Sequence, residues 1–291
     1  MWISDYWEDF ELLEAEDGYK LERWKDVKLL RPDPQVVWKN GEIENHSRKI
    51  DAKYFRSKKG GGEWKYYKKL PEHWEIMYRD LKFKVRPTGF KHTGLFPEQA
   101  VNWDFARDMI RESGREIKVL NLFAYTGGAT VACLKEGASV CHLDAAKSIV
   151  TWAKENVELN NLNQNGKVRF IVDDAYKFVE REIKRQNYYD AIIMDPPSYG
   201  RGPNGELWKI EDKIFELVEL ASRILTDKPL FFIINSYTTG LSNTVMENIL
   251  NLTVTKKFGG KVTADEIGFQ AKHSGLYLPC GSTARWQADE K

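Results

Sequence analysis

Apolar residues follow two different rhythms along this chain. From about residue 117, strand-length apolar runs alternate with stretches of helical period. This predicts strands at 117–123, 139–144, 167–172, 189–195 and 229–235, and helices near 128–136, 147–161, 174–186, 206–225 and 242–251. Near-continuous apolar strands alternating with helices predict a mostly parallel sheet covered on both faces. Right-handed crossovers then make the fold α/β, a doubly wound, Rossmann-like sheet. Up to about residue 110 the rhythm is shorter. FELLEAE, YKLERW and LKFKV read as strands, punctuated by RPDP at 31–34 and by three glycines at 60–62. The expected division is a smaller β-rich domain over 1–80, a linker over 81–110 and the α/β domain over 111–291.

Composition narrows the class. Hydrophobic residues are 42%, charged residues 30% and aromatics 13% with 10 Trp, which describes a globular chain with a real core, not a disordered one. The 291 residues allow two domains. The three cysteines, Cys133, Cys141 and Cys280, have no paired spacing, so no disulfide framework and no metal cluster is expected, and a reducing, cytoplasmic setting fits. The N-terminus MWISDYWEDF has neither a basic n-region nor an apolar h-region, so no signal peptide is expected there. Apolar runs such as Leu230–Ile234 are too short for a membrane span.

The net charge of +1 hides a pattern. Residues 1–45 hold 6 Lys/Arg and 12 Asp/Glu, residues 46–91 hold 14 and 5, and residues 92–291 hold 24 and 26. The basic block interleaves aromatics with its charges (RKIDAKYFRSKKGGGEWKYYKKLPEHW). Basic groups attract phosphate and aromatic faces stack unpaired bases, so the block reads as a surface for RNA. A solvated Lys-rich face around a glycine loop explains the same run.

In a doubly wound sheet ligands bind outside the carboxyl ends of the strands. The first strand ends in FAYTGGAT, Phe123–Thr130, where Gly127 and Gly128 can make a tight turn into a helix. Neither the GxGxxG spacing of a dinucleotide site nor a GxxxxGK[ST] phosphate loop is present. The second strand ends in Asp144, which can accept both hydroxyls of a ribose or cap the following helix. The third ends in Asp173-Asp174-Ala175, where a carboxylate or the backbone can meet an adenine amine, and capping is again the alternative. The fourth ends in Asp195-Pro196-Pro197-Ser198-Tyr199. Two prolines stop the ladder and leave rigid acceptors suited to a planar amine or ring nitrogen.

FAYTGG, Asp144, DDA and DPPSYGRG, in this order and spacing, resemble class I S-adenosylmethionine-dependent methyltransferases. More narrowly, the chain is similar to the bacterial large-subunit ribosomal RNA methyltransferase-like group, which acts on cytosine C5 or guanine N7. TGLFPEQ (93–99) extends the likeness, which covers roughly residues 80–291. The first 80 residues match no module. The resemblance implies that the cofactor is S-adenosyl-L-methionine and the partner RNA, ribosomal RNA in particular. The linker would fold over the cofactor, with Phe96, Pro97 and Gln99 around its methionine part and sulfonium. Phe123, Ala124, Tyr125, Thr126 and Gly127 would wrap methionine and ribose, and Asp144 would bind the ribose hydroxyls. Asp174 and Ala175 would face the adenine. Asp195, Pro196 and Pro197 would orient the acceptor beside the methyl group.

One departure bears on the chemistry. Methylating C5 of a pyrimidine needs a thiolate adding to C6, and cytosine-C5 members carry that Cys after the fifth strand. Here FFIINSYTTG places Asn235 and Ser236 there. Cys133 and Cys141 fall inside a helix and a strand, and Cys280 (LPCGSTARW) is a poor candidate. Direct transfer to nitrogen or oxygen is therefore expected, with Asp195 as proton acceptor or orienter. Tyr199 can stack a flipped base or simply pack. Residues 200–209 read as a loop, helical from Glu206, in which Arg201 and Lys209 can meet phosphate or stay solvated. The alternatives left open are a methyltransferase acting on protein or a small molecule, a nicotinamide-dependent oxidoreductase, and a protein that binds cofactor and RNA without turnover.

Overall fold

The computed structural model describes every residue except 47–48, 58–60, 164–165, 202–206, 239 and 290–291. In chain order the strands and helices are β1 Trp2–Ile3, β2 Phe10–Glu16, β3 Tyr19–Trp24, β4 Val27–Pro32, α1 Glu42–His46, β5 Ala52–Arg56, β6 Gly62–Tyr66, β7 Trp74–Tyr78 and β8 Leu81–Val85. There follow α2 Ala100–Glu112, β9 Lys118–Leu122, α3 Gly128–Lys135, β10 Ser139–Asp144, α4 Lys147–Leu159, β11 Val168–Val172, α5 Ala175–Arg185 and β12 Ala191–Met194. The chain closes with β13 Tyr199–Arg201, β14 Leu207–Lys209, α6 Ile210–Ser222, β15 Phe231–Ser236, α7 Asn243–Leu250, α8 Lys256–Phe258, β16 Lys261–Gln270 and β17 Tyr277–Gln287.

Two compact units emerge. Unit 1 comprises Met1–Ala100 with Ile267–Cys280, and unit 2 comprises Val101–Glu266 with Gly281–Lys291. The stretch 81–110, expected as a linker, holds strand β8 and most of helix α2. The C-terminal stretch 267–280, expected within the α/β domain, belongs to unit 1.

In unit 1, β2 to β6 form a five-stranded sheet in sequence order, and β7 pairs with β8 as a hairpin. Residues 267–268 of β16 pair with β1. Strand alternation carries charges as well as apolar groups inward. Glu22 and Arg31 are both buried. The Arg31 guanidinium grips the Glu22 carboxylate with two bonds, at 2.7 and 2.8 Å. It also donates to the Lys91 carbonyl at 2.8 Å. Lys20 lies 3.6 Å from Glu22 and 3.3 Å from Asp33. Burial alone would push the Glu22 carboxyl up, but the neighbouring Arg31 and Lys20 cations hold it below its ordinary value.

Unit 2 is the doubly wound part. Its strands run in the order β17-β15-β12-β9-β10-β11. All are parallel except β17, which is antiparallel to β15. β12 and β15 are buried along their whole length, as strands with covered faces must be. One apolar face of the sheet packs with α5, α6 and α7 around Phe178, Leu217, Phe232 and Leu250 in one core. Helix α5 owes its start to Asp174, whose side chain accepts from the Lys177 N–H. Two expectations are corrected here. Residues 207–209 continue as a strand paired with 199–201, so α6 starts only at Ile210. Asp144 does not cap α4, whose N-cap is Ala146.

Candidate functional site

The strand order reverses between β9 and β12. The chain walks outward from β9 to β10 and β11, then returns to β9's other side for β12 and β15. Such a switch point leaves a crevice outside the strands' carboxyl ends. The residues expected there from unit 2 all sit at those ends.

The loop after β9 is held in an unusual shape. Phe123 and Tyr125 have φ of 55° and 49°, left-handed values that non-glycine residues avoid. Three bonds enforce them. Ala124 N–H donates to the Leu143 carbonyl at 2.9 Å, Tyr125 N–H to Asp144 Oδ2 at 3.0 Å, and Gly127 N–H to the Ala124 carbonyl at 3.0 Å. Asn156 donates to the Thr126 carbonyl at 2.8 Å. Gly127, at φ 87°, heads α3, and a Cβ there would stand 3.2 Å from the Ala153 Cβ. A Cβ on Gly128 would come within 2.5 Å of the Trp103 ring. Gly127 is thus demanded by the turn and Gly128 by packing. Beneath the loop, the buried Asn121 donates to Thr130, whose hydroxyl lies 2.9 Å from His142 Nδ1. Burial pulls His142 down to about 3, so its ring is neutral.

Asp144 therefore does two things. Oδ2 locks the loop, and Oδ1 accepts from the Ala146 N–H at 3.0 Å. Burial pushes its carboxyl above the ordinary range despite these donors. Its carbonyl accepts from the Asp173 N–H at 3.2 Å, which brings the β11 end alongside. Of the two aspartates there, Asp174 is the cap, and Asp173 ion-pairs with Arg181. Ala175 opens α5 and is buried.

At the other side of the switch, Asp195 and Pro196 follow β12. The Asn235 amide, at the end of β15, donates to Asp195 Oδ1 at 2.9 Å. Asn235 is 1% exposed, and its own Oδ1 is without a partner. Thr238 donates to Ser198 Oγ at 2.6 Å, a second clasp between the same two strand ends. Trp208 joins the halves. Its indole N–H donates to the Pro197 carbonyl at 2.6 Å, and its ring centroid lies 5.7 Å from that of Phe123. Tyr199 is 55% exposed and offers a ring face. Most of the following loop, 202–206, lies outside the described residues, as does the Arg201 side chain.

Phe96, Pro97 and Gln99 belong to unit 1. Pro97 to Gln99 form a single 3₁₀ turn, closed by Gln99 N–H to the Phe96 carbonyl at 3.1 Å. The Pro97 carbonyl accepts from Ser4 at 2.8 Å and from the Trp7 indole at 3.1 Å. Pro97 itself is buried.

The three thiols are all buried. Burial pushes Cys133 up to about 12 and raises Cys141 and Cys280 as well. None is poised as a thiolate. Sequence reasoning misses His142, Trp208 and the Asn235–Asp195 bond. Only Asn235 leaves a trace, at the place where a cysteine would be sought.

A convergent carboxylate (Asp144), a strained backbone loop and a second carboxylate (Asp195) at one switch point suit a nucleoside-bearing donor and an adjacent acceptor. Among the described residues no group of His, Cys, Asp or Glu is placed to hold a metal, and no helix is long and apolar enough to cross a membrane. Residues 38–247 match the S-adenosylmethionine-dependent methyltransferase family. A SAM-dependent methyltransferase from Agrobacterium tumefaciens superposes with a TM-score of 0.91 at 33% identity, covering 97% of this chain and 91% of that one. The structure of SMU.776 complexed with SAH shares the fold at a TM-score of 0.73 and 19% identity, over 98% of this chain and 76% of that one. Ribosomal RNA large subunit methyltransferase K/L of Syntrophotalea carbinolica is 29% identical over 72% of this chain and 29% of its own length. Its namesake in Pseudoalteromonas atlantica is 32% identical over 66% of this chain and 26% of its own length. The chain thus spans less than a third of these two curated relatives. With the family matched over most of the chain, the nicotinamide alternative falls away, and the protein belongs to the S-adenosylmethionine-dependent methyltransferases.

Proposed function

We propose that the protein methylates a nucleobase of RNA, ribosomal RNA in particular, by direct transfer to nitrogen or oxygen without a covalent cysteine intermediate. One observation carries this reading: the carboxylate at the switch point, Asp195, is held by Asn235 at the strand end where covalent chemistry would need a thiol, and every cysteine is buried. The names of the curated relatives support RNA as the acceptor, and an RNA acceptor suits the cytoplasmic setting expected from the sequence.

S-adenosylmethionine, when bound, supplies a methyl group already activated by its sulfonium. The chain's residues bind, align and take up a proton. In this reading Asp144 accepts the ribose hydroxyls, the 123–127 loop wraps methionine and ribose, and Asp174 with Ala175 borders the adenine. The tight fit around the loop, with no room for a Cβ at Gly128 and little at Gly127, keeps its backbone donors in place without reorganisation. Pro196 and Pro197 fix the backbone that presents the acceptor base. As the acceptor atom's lone pair takes the methyl group, any proton it sheds passes to Asp195, whose orientation Asn235 sets.

Asp144→Ala is expected to weaken cofactor binding by about 10–150-fold, the equivalent of one hydrogen bond to a charged group. Calorimetry with S-adenosylhomocysteine measures it, and unchanged affinity removes Asp144 from the site. The acceptor chemistry is read by mass spectrometry of RNA nucleosides from a deletion strain, its parent and a Cys280→Ala strain. Loss of an N- or O-methylated nucleoside on deletion alone is expected. C5-methylcytidine that disappears in both mutant strains overturns direct transfer.

A further inference from the structure

The basic block found in the sequence has two faces in unit 1, and they differ. In the β5–β6 hairpin, Lys53 lies opposite Lys65, Tyr54 opposite Trp64 and Phe55 opposite Glu63. Alternation therefore puts Lys53, Phe55, Glu63 and Lys65 on one face, with Tyr67 next in step, and Tyr54, Trp64 and Tyr66 on the other. On the second face Tyr66 is open, at 52% exposed, but Tyr54 and Trp64 are committed to the fold. Tyr54 is buried, and the Trp64 indole donates to the Thr88 and Phe90 carbonyls at 2.9 and 3.0 Å.

The first face has no such task. Phe55 is 38% exposed and Tyr67 51%. The Lys53 ammonium rides 4.4 Å from the Tyr19 ring centroid and 4.9 Å from that of Phe55, and Lys65 rides 5.3 Å from that of Tyr67. These contacts set each cation over a ring, and the rings of Phe55 and Tyr67 remain partly exposed to solvent. Like charges directly opposite across a sheet are destabilising, so the Lys53–Lys65 pair costs the fold a little. Glu63 shares the face but stands opposite Phe55, not opposite either lysine. A polyanion laid along the hairpin would relieve the repulsion. Flat apolar rings beside the cations ask for more than charge: they suit unpaired bases, which a duplex does not offer.

We infer that this face of the β5–β6 hairpin docks an unpaired stretch of the RNA substrate, with bases stacked on Phe55 and Tyr67 and phosphates met by Lys53 and Lys65. This rests on the RNA reading above.

The test uses the full chain, a fluorescent oligo(U) of about 12 nucleotides, within the usual range of single-strand sites, and an RNA duplex of the same length. Methyl transfer to deproteinised ribosomal RNA is followed in parallel. Lys53→Gln/Lys65→Gln is expected to flatten the salt dependence of oligo(U) binding by about 1.4 in log–log slope, two single-strand phosphate contacts. Phe55→Ala and Tyr67→Ala are each expected to weaken oligo(U) binding by about 5–150-fold, the loss of one base stack. The lysine double variant should melt no lower than the parent, which guards against misfolding. Variants that bind oligo(U) like the parent, while the parent still methylates RNA, overturn this surface and leave the RNA reading standing. A duplex bound as tightly as oligo(U) also overturns it. A parent that neither binds nor methylates RNA overturns both.

Discussion

Asp195→Ala is expected to lower methyl transfer by about 10²–10⁴-fold, the span that a positioned acid or base contributes, while cofactor affinity changes little. The asymmetry follows from where the side chain sits. Asp144 and the 123–127 loop are tied to one another on the β9–β10 side of the switch, whereas Asp195 is tied to Asn235 on the β12–β15 side. Removing Asp195 breaks none of the bonds described above on the cofactor side. Single-turnover kinetics with labelled cofactor, alongside calorimetry with S-adenosylhomocysteine, separates the two effects. A smaller loss is expected for Asn235→Ala, in kcat more than in KM, because it removes one bond that orients the carboxylate and leaves the carboxylate itself in place. Unchanged turnover in Asp195→Ala removes this group from the mechanism.

The second large effect is on stability. Arg31→Met is expected to destabilise the protein by about 3–5 kcal/mol, because it leaves the buried Glu22 carboxylate without its bidentate partner. That is a large share of the roughly 5–15 kcal/mol that folded proteins possess. Lys20, at 3.6 Å from Glu22, does not replace two direct bonds. The double variant Arg31→Met/Glu22→Leu is expected to recover part of the loss, since it removes the uncompensated carboxylate but leaves the buried Trp24 indole N–H and Lys20 without that acceptor. Denaturant midpoints measure both, and a single variant within about 1 kcal/mol of the parent contradicts the account. The sign with pH is fixed by Glu22's lowered pKa. Its contribution is present above the ordinary value of 4.5 and fades as acid carries the group through its lower folded pKa.

The parallel sheet is legible in the sequence because its strands must be apolar on both faces, and runs such as FFIIN cannot be much else. Asp144 and Asp195 are legible because they end such runs. The last two strands are not. KVTADEIGFQ and YLPCGSTARWQ mix polar and apolar residues without a clean period, and β17 is antiparallel and partnered on its position in the sheet, not on its own pattern. Helix α2 (AVNWDFARDMIRE) passes for linker because the TGLFPEQ motif before it draws the boundary too late. The three-residue strands β13 and β14 are shorter than any period can reveal. Asn235's bond to Asp195 spans 40 residues and depends on the β12–β15 register, which pairs Met194 with Ile234. Glu22 and Arg31 look like the wet side of an alternating strand, and only the folded sheet shows that side to be covered.

Unit 1 is written in two separate pieces of the gene product. Met1–Ala100 is completed by Ile267–Cys280, which supplies the partner of β1 and the His273 ring stacked on His46 at 3.7 Å. A truncated chain that stops at residue 100, or a chimaera made at a single joint, inherits an unfinished module. Grafting unit 1 onto another partner domain would need three joints, after residues 100, 266 and 280, so the two units should be inherited together, with neither readily borrowed alone.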